Sequence, residues 1–241
     1  MRLKLLNNTT HYIGVATPQA NPTVEIEFQQ FLRGPAYGVF TRLTSKAESA
    51  RERLVEYLQQ MPAALESFDT LPLSAFAFAC TGSSYLLGEE REEEISNAMM
   101  QRFKIPIVTA TQAIRRELEG RGATRIAMFA PYPQDLREAA VDYWARLGFE
   151  IVTSSGIEMG PDTRGIYALS DQQVEDALGQ FDSAGADLIL LSGTGMPTIA
   201  ALRNSTVPMI SSNLCLATEV LRRIQLWPAS EAADIHKICK K

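Results

Sequence analysis

The alternation of short apolar runs with longer amphipathic stretches is the feature that most restricts how this chain can fold. Each apolar run has the length of a buried strand, and the stretches between them repeat apolar residues every three or four positions. This alternation predicts βα units and therefore an α/β fold with parallel strands. We predict strands at 13–17, 36–43, 73–79, 105–110, 125–130, 149–155, 186–192 and 207–212. We predict helices at 45–61, 91–103, 111–122, 133–148 and 170–181.

An internal repeat indicates that the chain is built from two similar halves. The segments IGVATP (13–18) and IAMFAP (126–131) are each a strand followed by proline, and they lie 113 residues apart. The same offset carries CTG at 80–82 onto GTG at 193–195, and both triplets follow an apolar strand. Two matches at one offset predict two α/β halves, each with a mostly parallel sheet flanked by helices. We expect the halves to be related by a pseudo-twofold axis, with a cleft between them.

The repeat also predicts the domain organisation and the place of a site. We expect one half at 1–120 and the other at 121–241, with the C-terminal helix packing back onto the first half. Ligands bind beyond the carboxyl ends of the strands in such sheets, so the turns after corresponding strands should surround one cleft. These turns are 18–21, 80–84, 131–132 and 192–197.

Charge and composition exclude several classes of partner. The net charge of -5 argues against nucleic acid or an acidic membrane surface. No apolar run approaches the roughly 20 residues that span a bilayer, and the N-terminus shows no signal peptide. The three cysteines and two histidines have no metal-ligand spacing, so we expect free thiols and no metal. We therefore expect a cytoplasmic protein that binds neither nucleic acid nor membrane.

Cys80 ends an apolar strand and begins the turn Thr81-Gly82-Ser83, which leads towards a helix. Backbone N–H groups at such a turn point outward, Gly82 permits close approach, and the hydroxyls add donors, so the turn can bind a carboxylate. The same N–H groups should lower the pKa of a neighbouring thiol. Cysteine is also among the most buried residue types, and a buried cysteine is usually inert. Position alone leaves Cys80 open as a nucleophile or a packing residue.

The second triplet, Gly193–Gly195, keeps the turn and its donors but has glycine where the first half has cysteine. No complete glycine-rich phosphate motif is present, which disfavours a nucleotide ligand. Asn21 could cap the following helix or hold a ligand carboxylate, and Tyr132 could be a buried phenol or a donor to substrate. The neighbours of Cys215 favour packing, and we expect Cys239 to be peripheral.

Four segments in this order resemble the aspartate/glutamate racemase superfamily, and within it the branch of maleate isomerases and arylmalonate decarboxylases. They are IGVATPQANPTVEIEF, FACTGSSY, RIAMFAPYPQDL and LLSGTGMPT. The resemblance runs from about Ile13 to Leu226 and implies a two-half α/β fold, a site between the halves, no cofactor and a homo-oligomer. It identifies Cys80 with the first catalytic cysteine of the family, the loop around Asn21 with the substrate-binding asparagine loop, and LLSGTGMPT with the second catalytic loop, including its Met-Pro.

The branches of this superfamily differ in their cysteines. Racemases carry one in each half, maleate isomerases use the first as nucleophile, and arylmalonate decarboxylases keep only the second, which protonates an enediolate. In this chain Cys80 occupies the first position, and Gly193, or Thr194 if the loop is shifted by one, occupies the second. Racemisation by two bases needs an acid on each face of the substrate, so the missing thiol disfavours it.

The leading hypothesis is a cofactor-independent enzyme that acts on a small carboxylate or dicarboxylate, most like a maleate cis–trans isomerase with Cys80 as nucleophile. One alternative is an arylmalonate-type decarboxylase that protonates from the Cys80 face. Another is a non-catalytic carboxylate-binding protein. The expected substrate-binding residues are Asn21, Thr81, Gly82, Ser83, Tyr132, Gly193, Thr194, Gly195 and Met196.

Overall fold

The first half of the molecule is a four-stranded sheet with helices after its strands. The computed structural model describes residues 10–160 and 162–238 of the chain. The elements of the first half are β1 (His11–Pro18), α1 (Thr23–Phe31), β2 (Ala36–Leu43), α2 (Ala50–Gln59), α3 (Met61–Glu66), β3 (Leu73–Phe78), α4 (Thr81–Leu87), α5 (Glu89–Phe103), β4 (Ile107–Thr109) and α6 (Ala110–Arg121). All of its strand pairs are parallel, in the order β2-β1-β3-β4.

The second half repeats this plan with a 3₁₀ helix in place of one α-helical segment. Its elements are β5 (Arg125–Phe129), α7 (Gln134–Arg146), β6 (Glu150–Ser155), the 3₁₀ helix (Thr163–Ala168), α8 (Asp171–Leu178), β7 (Leu188–Leu191), α9 (Ile199–Asn204), β8 (Met209–Ser211), α10 (Ser212–Arg223) and α11 (Ile235–Ile238). Its strands are also parallel, in the order β6-β5-β7-β8.

The two sheets have the same strand order, so the repeat in the sequence is a repeat of structure. The α/β fold with two parallel sheets is confirmed, and each predicted strand is present, although β4, β7 and β8 are each shorter than predicted. The strands are almost continuously apolar because helices cover both faces of a parallel sheet. In β3, for example, residues 75–78 are fully buried.

The single helix predicted at 45–61 is wrong at both ends. The first helix starts only at Ala50, because the hydroxyl of Ser49 accepts a hydrogen bond from the N–H of Glu52 and caps it there. A second helix, α3, starts at Met61 and carries Pro62 in its first turn, where the missing N–H of proline costs no helical hydrogen bond. Two short helices therefore replace one long helix.

The last long helix of the second half lies against the first half. α10 contacts α6 and α1, and α11 also contacts α1. The division of the chain into domains at 120/121, the homo-oligomer and the cytoplasmic location stay predictions, and Cys239 lies outside the described residues. Among the helices that the structure describes, none has the length and apolar character that a membrane span requires.

Candidate active site

Cys80 lies where the buried strand β3 passes into α4. It has an extended backbone and immediately precedes the first residue of the helix, Thr81. The side chain is 4% exposed, and the hydroxyl of Ser83 donates a hydrogen bond to its Sγ at 3.1 Å. The N–H groups of Gly82 and Ser83, in the first turn of α4, also act on the thiol. The strand-to-helix turn therefore places donors around this sulfur atom.

Burial nevertheless raises the pKa of the Cys80 thiol above its ordinary value. The hydrogen bonds from the Ser83 hydroxyl and from the N–H groups of Ser83 and Gly82 oppose this rise without cancelling it. Our expectation of a lowered pKa is wrong, because the free energy lost when a thiolate is removed from water exceeds the free energy that these hydrogen bonds provide. The thiol is the resting form near neutral pH, and reaction requires that its proton be removed.

Cys80 opens into a cavity of about 30 Å³ between the two halves. Facing it are Gly193, Thr194 and Gly195, which follow β7 as Cys80 follows β3. The space is enough for about one water molecule, so a dicarboxylate enters only if the cavity widens. The full lining is Pro18, Leu54, Cys80, Thr81, Gly82, Tyr132, Leu136, Thr163, Ile166, Tyr167, Gly193, Thr194 and Gly195.

A larger cavity, of about 500 Å³, lies outside this site. It is lined by residues of α2, α4, α5 and α7, including Arg51, Glu89 and Asp142, and it contains no thiol. The smaller cavity is the candidate site because it holds Cys80 and the two repeated triplets.

Gly193 occupies the position in the second half that corresponds to Cys80. Each of the two residues lies two positions after the end of its strand, β7 or β3, so Gly193 rather than Thr194 is the counterpart. Gly193 has φ +128°, a conformation that favours glycine. A Cβ atom there would lie 3.5 Å from the ring and hydroxyl of Tyr132, so the space admits a side chain although the backbone disfavours one.

Tyr132 connects the two halves through a chain of hydroxyl groups. Its Oη lies 2.6 Å from Oγ1 of Thr81 and 3.4 Å from Oγ of Ser192. Ser192 in turn lies 2.8 Å from the hydroxyl of Tyr85, which accepts a hydrogen bond from Trp144. Burial raises the pKa of Tyr132, so its phenol keeps its proton and can donate it in a hydrogen bond.

Asn21 forms hydrogen bonds both with the start of α1 and with the second triplet. Its Oδ1 accepts a hydrogen bond from the N–H of Thr23 at 3.0 Å, and its Nδ2 donates to Oγ1 of Thr194 at 3.4 Å. Thr194 Oγ1 donates to the carbonyl of Ala79, which precedes the catalytic candidate Cys80. Asn21 thus supports the helix start and holds the loop opposite Cys80.

The lining of the cavity is uncharged. None of the side chains that line it is acidic or basic. Among the described residues no cluster of His, Cys, Asp or Glu could hold a metal ion. An anionic ligand in this cavity would therefore be held by N–H and hydroxyl groups, which preorganised turns supply without a cation.

Comparison with known proteins identifies the family of the chain. The family model for arylmalonate decarboxylase matches residues 52–235, which is most of the chain. The chain belongs to the arylmalonate decarboxylase family. The resemblance to this branch of the superfamily is thereby confirmed.

Sequence relatives and solved structures resemble this member of the arylmalonate decarboxylase family over nearly the whole chain. The maleate isomerase of Pseudomonas putida is 24% identical over 233 residues, covering 90% of this chain and 92% of the relative. The structure of a cysteine-to-serine mutant of the Nocardia farcinica maleate cis–trans isomerase, with a covalently bound succinylcysteine intermediate, has a TM-score of 0.79 at 20% identity, covering 90% and 94% of the two chains. A liganded double mutant of arylmalonate decarboxylase, with one glycine changed to cysteine and one cysteine to serine, has a TM-score of 0.74 at 17% identity, covering 90% and 93%.

Seven of the predicted site residues line the cavity of this arylmalonate decarboxylase family member. They are Cys80, Thr81, Gly82, Tyr132, Gly193, Thr194 and Gly195. The other three lie behind the lining and contact it. Ser83 donates a hydrogen bond to Cys80, and Asn21 donates one to Thr194. Met196 is fully buried, and its N–H donates a hydrogen bond to the carbonyl of Gly193.

Sequence reasoning missed the cover of the site in this family member. Ile166 and Tyr167, in the 3₁₀ helix, pack so closely on Gly195 that a Cβ there would approach both to 2.5 Å. This segment follows the carboxyl end of β6, so the rule that ligands bind at that edge could have found it. Leu54 and Leu136 lie on helices, and only the assembled structure shows that they face the cavity.

Proposed function

We propose that this protein is a cofactor-independent cis–trans isomerase of a small dicarboxylate, maleate, with Cys80 as the nucleophile. The observation that carries the proposal is the lone thiol of the cavity, which faces a loop of backbone donors across the interface between the halves. The names of the relatives support it, since they are maleate isomerases, one of them solved with a succinylcysteine intermediate.

The reaction needs one nucleophile and an electron acceptor in the substrate. The thiol of Cys80 first loses its proton to a water molecule of the solvent, and the resulting thiolate adds to one olefinic carbon of maleate, forming a C–S bond. The π electron pair moves to the other carbon and into its carboxylate as an enediolate. The central bond is then single and can rotate. Return of the electron pair expels the thiolate and forms the trans double bond of fumarate, so that atoms and charge balance.

The uncharged lining stabilises the anionic states of this sequence. Tyr132 and Thr81 supply hydroxyl groups beside Cys80, and the turns at 81–83 and 194–195 supply backbone N–H groups, whereas the N–H of Gly193 already donates to Ser212. Donors fixed in place before the reaction stabilise a developing enediolate without reorganisation. Exclusion of water by Ile166 and Tyr167 strengthens each of these hydrogen bonds.

The direct test is conversion of maleate to fumarate followed by proton NMR. Cys80→Ala and Cys80→Ser should each lower the turnover by a factor on the order of 10³ or more, because the covalent step is lost. Cys215→Ala is the matched control, since this fully buried thiol on α10 is not among the residues that line the cavity and its loss should leave turnover unchanged. Retained activity in Cys80→Ala would refute the thiol mechanism.

A second candidate is decarboxylation of a disubstituted malonate. The match to the arylmalonate decarboxylase family favours it, and a single acid is enough for that reaction. After CO2 leaves, the thiol of Cys80 would protonate the enediolate from its own face. Release of CO2 from an arylmalonate by a protein inactive on maleate would select this reaction. Dicarboxylate binding that survives Cys80→Ser, without turnover of either substrate, would indicate a binding protein.

A further inference from the structure

Helix α1 of the first half holds the loop 193–198 of the second half. Thr23 donates from Oγ1 to the carbonyl of Gly195 at 2.8 Å. One turn further along the same face, the carboxylate of Glu27 accepts from the N–H of Thr198 at 2.6 Å and from its hydroxyl at 2.8 Å. The position of this loop is therefore set by the half of the molecule that carries Cys80.

Glu27 also fixes the orientation of Asn213 at the start of α10. Nδ2 of Asn213 donates to Oε2 of Glu27 at 2.7 Å and to the carbonyl of Thr194 at 3.0 Å. Its Oδ1 is buried and has no hydrogen-bond partner. Rotation of the amide would place this oxygen against two acceptors, so the carboxylate of Glu27 keeps the NH₂ group turned towards Thr194.

The orientation of the Thr194 carbonyl determines the direction of the next N–H group. The peptide bond between Thr194 and Gly195 is trans, as are the others in the described residues, so its C=O and N–H point in opposite directions. The carbonyl of Thr194 is directed at Asn213, so the N–H of Gly195 points the opposite way. Gly195 itself lines the cavity. None of the hydrogen bonds of the described residues uses this N–H.

We propose that Glu27 and Asn213 are positioning residues that direct the N–H of Gly195 at a carboxylate of the bound substrate, opposite Cys80. The identity of the ligand as a dicarboxylate rests on the proposed function. Glu27 touches no substrate atom and acts only through Asn213, Thr194 and the peptide between Thr194 and Gly195. Glu27 must be ionised to orient Asn213, because protonation or replacement by an amide turns one of the two acceptor oxygens of Glu27 into a donor.

The experiment measures binding of succinate, an unreactive dicarboxylate, by calorimetry at pH 8. Glu27→Gln should weaken succinate binding about tenfold or more, because a donor then faces the donors that converge on residue 27. Glu117→Gln is the matched control: this carboxylate is equally buried and binds Arg121, Arg222 and the N–H of Ala233, away from the cavity. It should bind succinate as the unaltered protein does. Alkylation of Cys80 by iodoacetamide should be unchanged in both variants.

The double variant Glu27→Gln/Asn213→Asp distinguishes two roles of Glu27: orienting the N–H of Gly195, and joining α1 to α10. The new amide at 27 can donate to the new carboxylate at 213, which restores the link between α1 and α10 with reversed polarity. A carboxylate at 213 cannot donate to the carbonyl of Thr194. The double variant should therefore regain stability towards urea relative to Glu27→Gln while its succinate binding stays weak.

Two results would overturn this inference while the proposed function stands. They are unchanged succinate binding in Glu27→Gln, and recovery of full affinity in the double variant. If the unaltered protein neither binds succinate nor converts maleate, both proposals fail together. Isomerisation in the unaltered protein with equal affinity in Glu27→Gln refutes the positioning role alone.

Discussion

At the scale of single residues, the site is defined by the difference between Cys80 and Gly193. The two residues occupy equivalent positions after β3 and β7, but only the first half supplies a thiol. The conformation of Gly193, with φ +128°, suits glycine, whereas Cys80 is in an ordinary extended conformation. One face of a substrate held between them meets sulfur, and the other meets peptide groups.

Introduction of a second thiol should change the hydrogen exchange that accompanies the reaction. In D2O we expect the unaltered protein to form fumarate without carbon-bound deuterium, because no thiol faces the enediolate carbon from the Gly193 side. Gly193→Cys places an acid there, which can transfer a deuteron to that carbon; removal of the protium from the same carbon, with expulsion of the Cys80 thiolate, then yields deuterated fumarate, detected by NMR. We expect stability to fall by about 1–3 kcal/mol through backbone strain. Deuterium at carbon in fumarate from the unaltered protein would contradict the one-thiol mechanism.

The sequence predicts the identity of these residues but not the ionisation of the thiol. The repeat places Cys80 opposite Gly193 because a strand followed by a turn is readable in both halves. The raised pKa of Cys80 depends on how completely other elements cover it, and that coverage includes Ile166 and Tyr167 from a distant segment. Burial by non-local packing cannot be read from the local motif.

At the scale of elements, the 3₁₀ helix covers the candidate site. It brings Ile166 and Tyr167 over the second triplet, and Asp162, just before it, forms an ion pair with Arg53 of α2 at 2.8 Å. Arg53 is buried, and it also donates to the carbonyls of Ala47 and Glu48. This ion pair holds the cover against the first half.

Removal of that ion pair should expose Cys80 more often. Asp162 is half exposed, so its ion pair contributes only about 0.2–1 kcal/mol, and Asp162→Ala should raise the rate of Cys80 alkylation by a few fold. Hydrogen bonds from Arg164 hold the pKa of Asp162 near 2. The stabilisation that the Asp162 carboxylate provides is therefore present in full above about pH 4 and is lost as the pH falls towards 2. Asp176→Ala, an exposed carboxylate on α8, is the control. Equal alkylation rates in all three proteins would show that this ion pair does not hold the cover.

Element boundaries follow the sequence only where a local signal marks them. The strands were predictable from their apolar runs, and α6 ends at Gly122 in a left-handed conformation that glycine permits. The break between α2 and α3 was missed although Pro62 marks it, because the apolar periodicity continues through both helices. The 3₁₀ helix has no comparable period, and its position depends on contacts with Asp162 and Gly195.

At the scale of the whole molecule, the two halves are joined by side-chain hydrogen bonds that do not follow the internal repeat of the sequence. Glu27 of α1 reaches Thr198 and Asn213 of the second half, and Tyr143 of α7 donates to the buried carboxylate of Glu92 in the first half. The repeat places alanine, Ala140, at the position in α7 that matches Glu27. The architecture was therefore predictable from the repeat, but the contacts between the halves were not, since they break its symmetry.

The buried carboxylate of Glu27 should make stability depend on pH. Burial raises its pKa from 4.5 to about 7, an effect that the charge of Asp171 increases. The folded protein binds more protons than the unfolded chain between these values, so the free energy of unfolding falls as the pH rises from about 4.5 to 7. The loss is about 3 kcal/mol at most.

Urea unfolding at pH 5 and pH 8 measures this contribution. Glu27→Gln cannot ionise, so its free energy of unfolding should fall less between the two pH values than that of the unaltered protein. Glu92, whose pKa burial also raises, contributes equally to both proteins and cancels in the comparison. Identical pH dependence in the two proteins would show that burial does not raise the pKa of Glu27 in the folded protein.

The most direct test of the account is whether sulfur of Cys80 bonds to substrate carbon during turnover. The protein is mixed with maleate, quenched with acid within the turnover time, and its peptides are mapped by mass spectrometry. We expect an adduct with the added mass of one maleate on the peptide that contains Cys80, absent from Cys80→Ser, and no adduct on Cys215. Turnover of maleate to fumarate with no adduct on Cys80 at any quench time, and with full activity in Cys80→Ser, would contradict it.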